Sequence, residues 1–383
     1  MKVLLYDIGA FAQKDLIYYL TKKGCVCRNL HYRLGNIYQD SFFEKKFEEK
    51  LLQDSYDIVM SMNFIPLVAK ICNRHNMKYL SWVYDSPINT EYPEFYCYPT
   101  NYIFLFDRIE TERIAKLGNI HIFHLPLAVN CDRTHNITIR PEDRDIYSAE
   151  ISFVGTFYRN PLKAVMDHIA DYEKGYIDAL IETQLNIYGY NFIEELVTEK
   201  LVQKINFQLT TRNAAQELLP QRGLIHGIQR HITHIERLVL CNMLGRTHQL
   251  NYYSTEQPKQ LAHLNYLGTA DYYTEMPKIF RLSKLNLNPT LRSIQSGIPL
   301  RALDILGCEG LLFSNYQPEL AEYFEDGVDV VMYESIEDAL EKADYYLKNE
   351  HIRQKIARKG YQKAYQSFSY PDKIAYMFKM ANI

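Results

Sequence analysis

Residues 272–320 read YYTEMPKIFRLSKLNLNPTLRSIQSGIPLRALDILGCEGLLFSNYQPEL, and this stretch is the most informative part of the sequence. An apolar strand ends in the polar loop 288–290, and a helix begins at Pro299, where the missing N–H of a proline would be unpaired anyway. A second apolar strand follows at residues 311–313. A helix N-terminus that follows a strand-end loop attracts phosphate through its free N–H groups and its dipole. The stretch therefore predicts half of a pocket for a nucleoside diphosphate.

The first 130 residues alternate apolar strands with amphipathic helices. The predicted strands lie at 2–6, 25–30, 58–61, 79–83, 102–106 and 121–125, and the predicted helices at 14–23, 42–53 and 66–76. This alternation favours a parallel, doubly wound sheet. Because such sheets bind ligands at the carboxyl ends of their strands, the polar turns there are candidate site elements. These turns contain Asp7 and Gly9, Asp85, and Asp107.

The rest of the chain divides by composition. Residues 131–149 are polar and charged and predict a linker between a first domain, 1–130, and a second domain, 150–368. A new strand at 151–154 restarts the α/β pattern. From about 165 to 250 the apolar residues recur at helical spacing, which predicts a helical insertion in the second domain. A short amphipathic helix is expected at the end of the chain.

Composition excludes several classes of protein. The net charge of −3 over 383 residues is too small to favour nucleic acid as a partner. No apolar run approaches the ~20 residues of a membrane-spanning helix, and the N-terminus lacks the pattern of a signal peptide. Seven cysteines, an odd number without paired CxxC units, predict reduced thiols, a cytoplasmic protein and no metal site. The motifs of serine hydrolases and P-loop proteins are absent, and Gly9 stands alone where a dinucleotide fingerprint needs three glycines.

Several motifs together resemble a known family. FVGTFYRN (153–160), LNYLGTADYYTEMPKIFRLSKLNLNPT (264–290) and GIPLRALDILGCEGLLFSNYQPELAEYFEDGVDVVMY (297–333) resemble the C-terminal domain of GT-B glycosyltransferases. The likeness is greatest to the CgeB-like spore-maturation enzymes and to relatives of the family 4 type. SWVYDSP (81–87), FLFDR (104–108) and FHLPLAVN (123–130) have counterparts in the N-terminal domain of those proteins.

The resemblance implies an α/β, GT-B fold, with two Rossmann-like domains that face an inter-domain cleft. The C-terminal domain would bind a nucleotide-sugar donor, the N-terminal domain would bind the acceptor, and the last helix, 369–383, would pack back on the N-terminal domain. The donor-binding residues expected from the motifs are Gly155, Arg159, Gly268, Tyr272, Asn288, Thr290, Gly297, Arg301 and Asp304.

Glycosyl transfer leaves negative charge on the departing diphosphate, which a metal or fixed protein groups must stabilise. The metal-free arrangement expected here combines Gly155, the helix that begins at Pro299, and the cations Arg159 and Arg301. Asp304 can accept a hydrogen bond from a ribose hydroxyl. A simpler alternative stays open, because Arg301 and Asp304 are three residues apart on a helix and could form a surface ion pair.

On the acceptor side, Asp85 is the candidate general base, since it follows a strand and precedes Pro87. The alternative is an aspartate that only stabilises its own turn. Asp7, Gly9 and Asp107 are further acceptor-side candidates. With Asp85, the residues Arg301 and Asp304 complete the predicted catalytic set.

One position departs from the family 4 pattern, which has two glutamates eight residues apart. Here the two positions hold Ser296 and Asp304, and a serine cannot act as a carboxylate, so retention or inversion of the linkage stays open. The prediction is a metal-independent glycosyltransferase of the hexosyltransferase type, without a cofactor, that moves a sugar from a UDP-sugar to a protein or glycan acceptor. Two alternatives remain, namely a non-catalytic nucleotide-sugar or glycan-binding protein and a nucleotide-sugar epimerase.

Overall fold

The computed structural model describes residues 1–88, 92–118, 121–158, 162–212, 218–257 and 261–383. The chain divides into two compact units. The first unit comprises Met1–Arg133, Ser296–Leu303 and Ala364–Ile383, and the second comprises Thr134–Gln295 and Asp304–Lys363. The segment 131–149, which the sequence predicts as a linker, contains two short helices.

Each unit is built on one six-stranded parallel sheet. The strands of the first sheet are β1 (Lys2–Asp7), β2 (Val26–His31), β3 (Ile58–Met62), β4 (Tyr79–Val83), β5 (Asn101–Leu105) and β6 (Ile122–His124). Those of the second are β7 (Ala149–Val154), β8 (Leu250–Tyr253), β9 (Asn265–Tyr266), β10 (Ser283–Asn288), β11 (Leu312–Asn315) and β12 (Val331–Tyr333). The spatial orders are β2-β1-β3-β4-β5-β6 and β12-β11-β10-β7-β8-β9, and both confirm the predicted α/β class.

Helices connect the strands throughout the described residues. In chain order they are α1 (Gln13–Lys22), α2 (Ser41–Leu52), α3 (Pro66–Arg74), α4 (Arg108–Ala115), α5 (Cys131–His135), α6 (Pro141–Tyr147), α7 (Lys163–Met166), α8 (Asp171–Leu185), α9 (Ile193–Leu196), α10 (Glu199–Thr211), α11 (Gln221–Thr247), α12 (Met276–Leu282), α13 (Leu300–Gly307), α14 (Pro318–Tyr323), α15 (Ile336–Lys348), α16 (Glu350–Ser367) and α17 (Tyr370–Met380).

The central strands of the first sheet are apolar on both faces. The segments IVMSM, YLSWV and NYIFL of β3, β4 and β5 are buried along their whole length. Such continuous runs are typical of a parallel sheet that helices cover on both sides. Local signals set the helix ends, since Asp40 and Asp107 accept hydrogen bonds from the first turns of α2 and α4.

The second sheet is interrupted by helices, as the sequence predicts. Helices α7 to α11 fall between β7 and β8, and they share an apolar cluster distinct from the one beneath the sheet. The longest of them, α11, has 27 residues and contributes to both clusters. Ile232 belongs to the cluster of the inserted helices, and Leu240 belongs to the cluster beneath the sheet. It therefore brings the inserted helices and the sheet into one packed unit.

Among the described residues, no helix combines the length and the apolar character that a membrane crossing requires. All seven cysteines are free thiols.

Candidate functional site

The carboxyl ends of β10 and β11 form a buried polar cluster in the second unit. The Asn288 side-chain amide donates to the Thr290 hydroxyl at 3.2 Å and to the Ser314 hydroxyl at 3.0 Å. The Thr290 amide donates to Asn315 Oδ1 at 2.8 Å. Two predicted donor residues, Asn288 and Thr290, are thus brought together. The other two, Ser314 and Asn315, were not predicted, although their position at the end of an apolar strand was the available signal.

A second pair of predicted donor residues is in contact. The Tyr272 hydroxyl donates to Asp304 Oδ1 at 2.9 Å, and both side chains are buried. Asp304 lies on α13, and Tyr272 precedes α12, so the bond joins residues 32 positions apart. The bond orients the carboxylate and consumes part of the acceptor capacity of one oxygen.

Arg301 lies one turn before Asp304 on α13 and is half-buried.

The segment that leads into α13 packs closely against other residues of the first unit. A Cβ at Gly297 would lie 2.7 Å from a ring carbon of Phe106 and 2.9 Å from the Cα of Asp107. Glycine is therefore required at position 297 for close backbone approach.

Asp107 binds the same segment. Its carboxylate accepts from the Ser296 hydroxyl at 2.8 Å and from the Ser86 hydroxyl at 3.2 Å, and it also caps α4. The side chain is 1% exposed. These contacts describe an aspartate that orders its own surroundings, and they place a carboxylate beside Ser296, the position at which the chain departs from the family 4 pattern.

Of the remaining predicted donor residues, Gly155 follows β7 and Gly268 follows β9. The Gly155 amide donates to the Tyr253 carbonyl at 3.0 Å and extends the pairing of β7 with β8. Gly268 has a φ of 78°, and its carbonyl accepts from the Ser254 amide at 2.6 Å, so this glycine serves a turn. Arg159 lies outside the described residues.

Helix α11 adds two buried arginine contacts that sequence reasoning missed. Arg237 donates from Nη1 to the Thr156 carbonyl at 2.6 Å and from Nε to the Pro289 carbonyl at 3.0 Å. Arg292, in the loop after β10, pairs with Glu236 at 2.8 Å. Nothing in the helical spacing of α11 marks these side chains, because their partners are 52 to 81 residues away in the chain.

In the first unit, Asp85 lies in the turn after β4. The side-chain amide of Asn63 donates to Asp85 Oδ2 at 2.6 Å, while its oxygen accepts from the Tyr84 and Asp85 amides. Asn63 has a φ of 61°, in the left-handed region that asparagine tolerates better than most residues. Partial desolvation raises the pKa of the Asp85 carboxyl, and the hydrogen bond from Asn63 opposes this shift.

Asp7 and Gly9 lie at the end of β1. The Gly9 amide donates to Asp7 Oδ1 at 2.8 Å, and Gly9 has a φ of 78°. His31, at the end of β2, places Nδ1 3.6 Å from Asp7 Oδ2. The turn is thus stabilised by its own aspartate, and its glycine supplies the required left-handed conformation.

Within the described ranges, no group of three or more His, Cys, Asp or Glu side chains is arranged to hold a metal ion. Asp143, in the one Asp-x-Asp triplet of the sequence, pairs with Lys278 at 2.8 Å and accepts from the Arg140 amide.

Part of the chain matches the model of a known protein family. Residues 221–379 match the model of a family described as "Glycosyl transferase-like". The matched segment includes Tyr272, Asn288, Thr290, Arg301 and Asp304. No curated protein matches the chain in sequence.

Solved structures share the fold over nearly the whole chain. Sucrose-phosphate synthase from Thermosynechococcus elongatus has a TM-score of 0.60 at 10% identity and covers 100% of this chain and 98% of its own. AviGT4, a glycosyltransferase involved in avilamycin A biosynthesis, has a TM-score of 0.54 at 10% identity, with 100% and 97% covered. Anabaena HepE, in complex with UDP and glucose, has a TM-score of 0.52 at 9% identity, with 99% of both chains covered.

At these identities the structural likeness establishes the fold, which is GT-B. The two parallel six-stranded sheets with their helices match these neighbours, as the sequence resemblance implied. The family match and the GT-B fold together support a glycosyltransferase enzyme.

Proposed function

We propose that this protein transfers a sugar from a UDP-sugar to a protein or glycan acceptor without a metal ion. Sugar transfer is supported by the family match over residues 221–379 and by UDP-bound neighbours of the same fold. The CgeB-like subtype is part of the same proposal and rests on the motifs at 153–160, 264–290 and 297–333. A cytoplasmic location is proposed from the seven free thiols.

The observation that carries the proposal is the contact between Tyr272 and Asp304. A carboxylate that is buried in the matched segment and receives a tyrosine hydroxyl at 2.9 Å has a fixed direction. A carboxylate can accept several hydrogen bonds at once, and in this proposal Asp304 accepts one from a ribose hydroxyl of the donor. Asn288 and Thr290, at the end of β10, supply further polar groups for the donor, and ligands of α/β sheets bind at this end of the strands.

In the proposed mechanism, charge on the departing diphosphate is stabilised by fixed protein groups. Arg301 and Arg159 supply positive charge, Gly155 allows close approach of the backbone, and the N-terminal end of α13 supplies the positive end of its helix dipole. Groups of this kind stabilise charge effectively when they are oriented before the charge develops.

Asp85 is the proposed general base for the acceptor hydroxyl. Its raised pKa makes Asp85 a better proton acceptor than an ordinary aspartate, because the pKa lies closer to neutral pH. The hydrogen bond from Asn63 orients the carboxylate. Asp7 and Gly9 remain acceptor-side candidates. Asp107 is proposed to act on that side through the segment that it binds, because its own carboxylate is buried.

The test is nucleotide release by the purified chain. Incubation with a panel of UDP-sugars and candidate acceptors should release UDP in step with sugar incorporation, measured by chromatography of the nucleotide and mass spectrometry of the acceptor. UDP-sugar binding by calorimetry without any release would instead identify a binding protein. Conversion of the donor to an isomeric UDP-sugar would identify an epimerase.

A further inference from the structure

Two loops at the carboxyl ends of the second sheet are joined by one buried guanidinium. Arg237 of α11 is 2% exposed and donates to the Thr156 carbonyl after β7 and to the Pro289 carbonyl after β10. The two loops belong to adjacent strands, since β7 pairs with β10. A single side chain therefore sets the spacing of the loops that contain Gly155 and Thr290.

These hydrogen bonds also fix the direction of two amides. A trans peptide is planar, so its carbonyl and the N–H of the next residue point in opposite directions. Binding of the Thr156 carbonyl to Arg237 thus directs the Phe157 amide away from the guanidinium. Neither the Thr156 amide nor the Phe157 amide donates to an acceptor within the described part of the chain. With a diphosphate bound at this edge of the sheet, as proposed above, both amides would donate to its oxygens.

The charge of Arg237 is not neutralised by a carboxylate. The neighbouring Glu236 is buried and pairs with Arg292 at 2.8 Å, and no carboxylate of the described residues forms an ion pair with Arg237. Its partners are carbonyl oxygens and the Tyr158 ring, whose centroid lies 5.0 Å away. The group of Glu236, Arg237 and Arg292 thus keeps one net positive charge in a desolvated position, where it acts more strongly than in water.

We propose that Arg237 is a positioning residue for the donor diphosphate, because it orients the loops after β7 and β10 and places a buried positive charge beside them. This inference rests on the proposed function, since it assumes that a nucleoside diphosphate binds at this edge. Arg237 does not contact the donor. It acts through the Thr156–Phe157 peptide and through its field.

The test compares UDP with uridine, which lacks the diphosphate. Binding of both ligands to the full chain is measured by calorimetry for the unchanged protein, for Arg237→Lys and for Arg237→Gln. We expect the affinity for UDP, divided by the affinity for uridine, to fall at least tenfold in Arg237→Gln. This ratio should fall by a smaller factor in Arg237→Lys, which keeps the charge but cannot bridge both carbonyls. The Kd for uridine should not change, whereas a merely structural role would weaken both ligands together.

Arg230→Gln is the matched control. Arg230 lies on the same helix and over the same Tyr158 ring, with its guanidinium carbon 4.9 Å from the centroid, but it donates to neither loop carbonyl. It should keep the ratio of the unchanged protein. An unchanged ratio in a folded Arg237→Gln variant would overturn the proposal.

Hydrogen exchange on the unchanged protein covers the case in which the variants do not fold. UDP should slow exchange of the amides in residues 155–158 more than uridine does. Equal protection by the two ligands would overturn the role of Arg237. Absence of UDP binding by the unchanged chain would instead overturn the proposed function, and this inference with it.

Discussion

At the scale of single residues, the candidate donor site depends on hydrogen bonds between buried side chains. The bond from Tyr272 to Asp304 is the clearest case, because a hydrogen bond to a charged group is worth about 1.5–3 kcal/mol. Without this hydrogen bond, the Asp304 carboxylate stays in place but Tyr272 no longer fixes its orientation. Donor affinity should respond more than turnover does, since the ribose does not take part in bond breaking.

Tyr272→Phe should therefore raise the Kd for UDP about tenfold, which corresponds to about 1.4 kcal/mol. The measurement is calorimetry with UDP, together with donor and acceptor KM values. Tyr273→Phe, at the neighbouring position, is the control and should bind UDP normally. Equal affinities in the two variants would remove the Tyr272–Asp304 bond from the donor site.

The contact between Asp85 and Asn63 leads to a prediction about how kcat/KM depends on pH. Asp85 must be ionised to act as a base, and the Asn63 hydrogen bond stabilises the ionised form. Its loss in Asn63→Ala should raise the carboxyl pKa further. The acid limb of the profile of kcat/KM against pH should then move to higher pH.

Asn76→Ala is the control for this experiment, because Asn76 also has a positive φ, of 49°, but lies at the end of α3. Its profile should match that of the unchanged protein. Should Asp85→Asn retain the same acid limb, Asp85 would not be the base.

Arg301 carries the proposed charge stabilisation on α13. Loss of one such group typically costs about 2.7–4 kcal/mol in the barrier, or about 10²–10³ in kcat. The kcat of Arg301→Ala should therefore be about 10²–10³ lower than that of the unchanged protein, while its circular dichroism spectrum stays the same. Arg358→Ala, which removes an exposed arginine of α16, should turn over normally. Near-normal turnover of Arg301→Ala would exclude this arginine from the mechanism.

At the scale of elements, close packing of helices against backbone restricts side-chain size. In α16, a Cβ at Gly360 would lie 2.3 Å from the Asp329 carbonyl oxygen. Backbone cannot rotate away as a side chain can, so the helix or the loop must shift. In α8, by contrast, a Cβ at Gly175 would meet nothing within 4 Å.

Gly360→Ala should destabilise the protein by about 1–3 kcal/mol, the usual cost of overpacking. Gly175→Ala should stabilise it by about 0.4–1 kcal/mol, because alanine loses less backbone entropy on folding. Chemical denaturation of both variants measures the two effects. Equal and small changes at both positions would contradict the packing of α16 on the loop that contains Asp329.

At the scale of the whole molecule, the proposed chemistry needs only groups of the chain itself. The expected stabilisers of the diphosphate are arginines, amides and the end of α13. Turnover in excess EDTA should therefore equal turnover in added Mg²⁺ or Mn²⁺, measured by UDP release. Loss of activity in EDTA with recovery on metal addition would contradict the metal-independent mechanism.

Much of the fold was predictable because its signals are local. The apolar runs of β3 and β4, and the N-cap at Asp40, lie within a few residues of the elements that they define. The strand-end position of Asn288 likewise follows from the order of strands and loops alone. Helix bounds differed from the predicted ones by only a few residues, for example Ser41–Leu52 against 42–53.

Two parallel sheets, the inserted helices and the candidate residues at the strand ends could all be predicted from the amino-acid order, because periodicity and turn chemistry act over short distances. The side-chain contacts between distant elements could be seen only in the folded chain. Asn63 reaches Asp85, Arg237 reaches the Thr156 and Pro289 carbonyls, and Tyr272 reaches Asp304. Such contacts depend on how strands and helices pack, and the spacing of residues within one element carries no information about its distant partners.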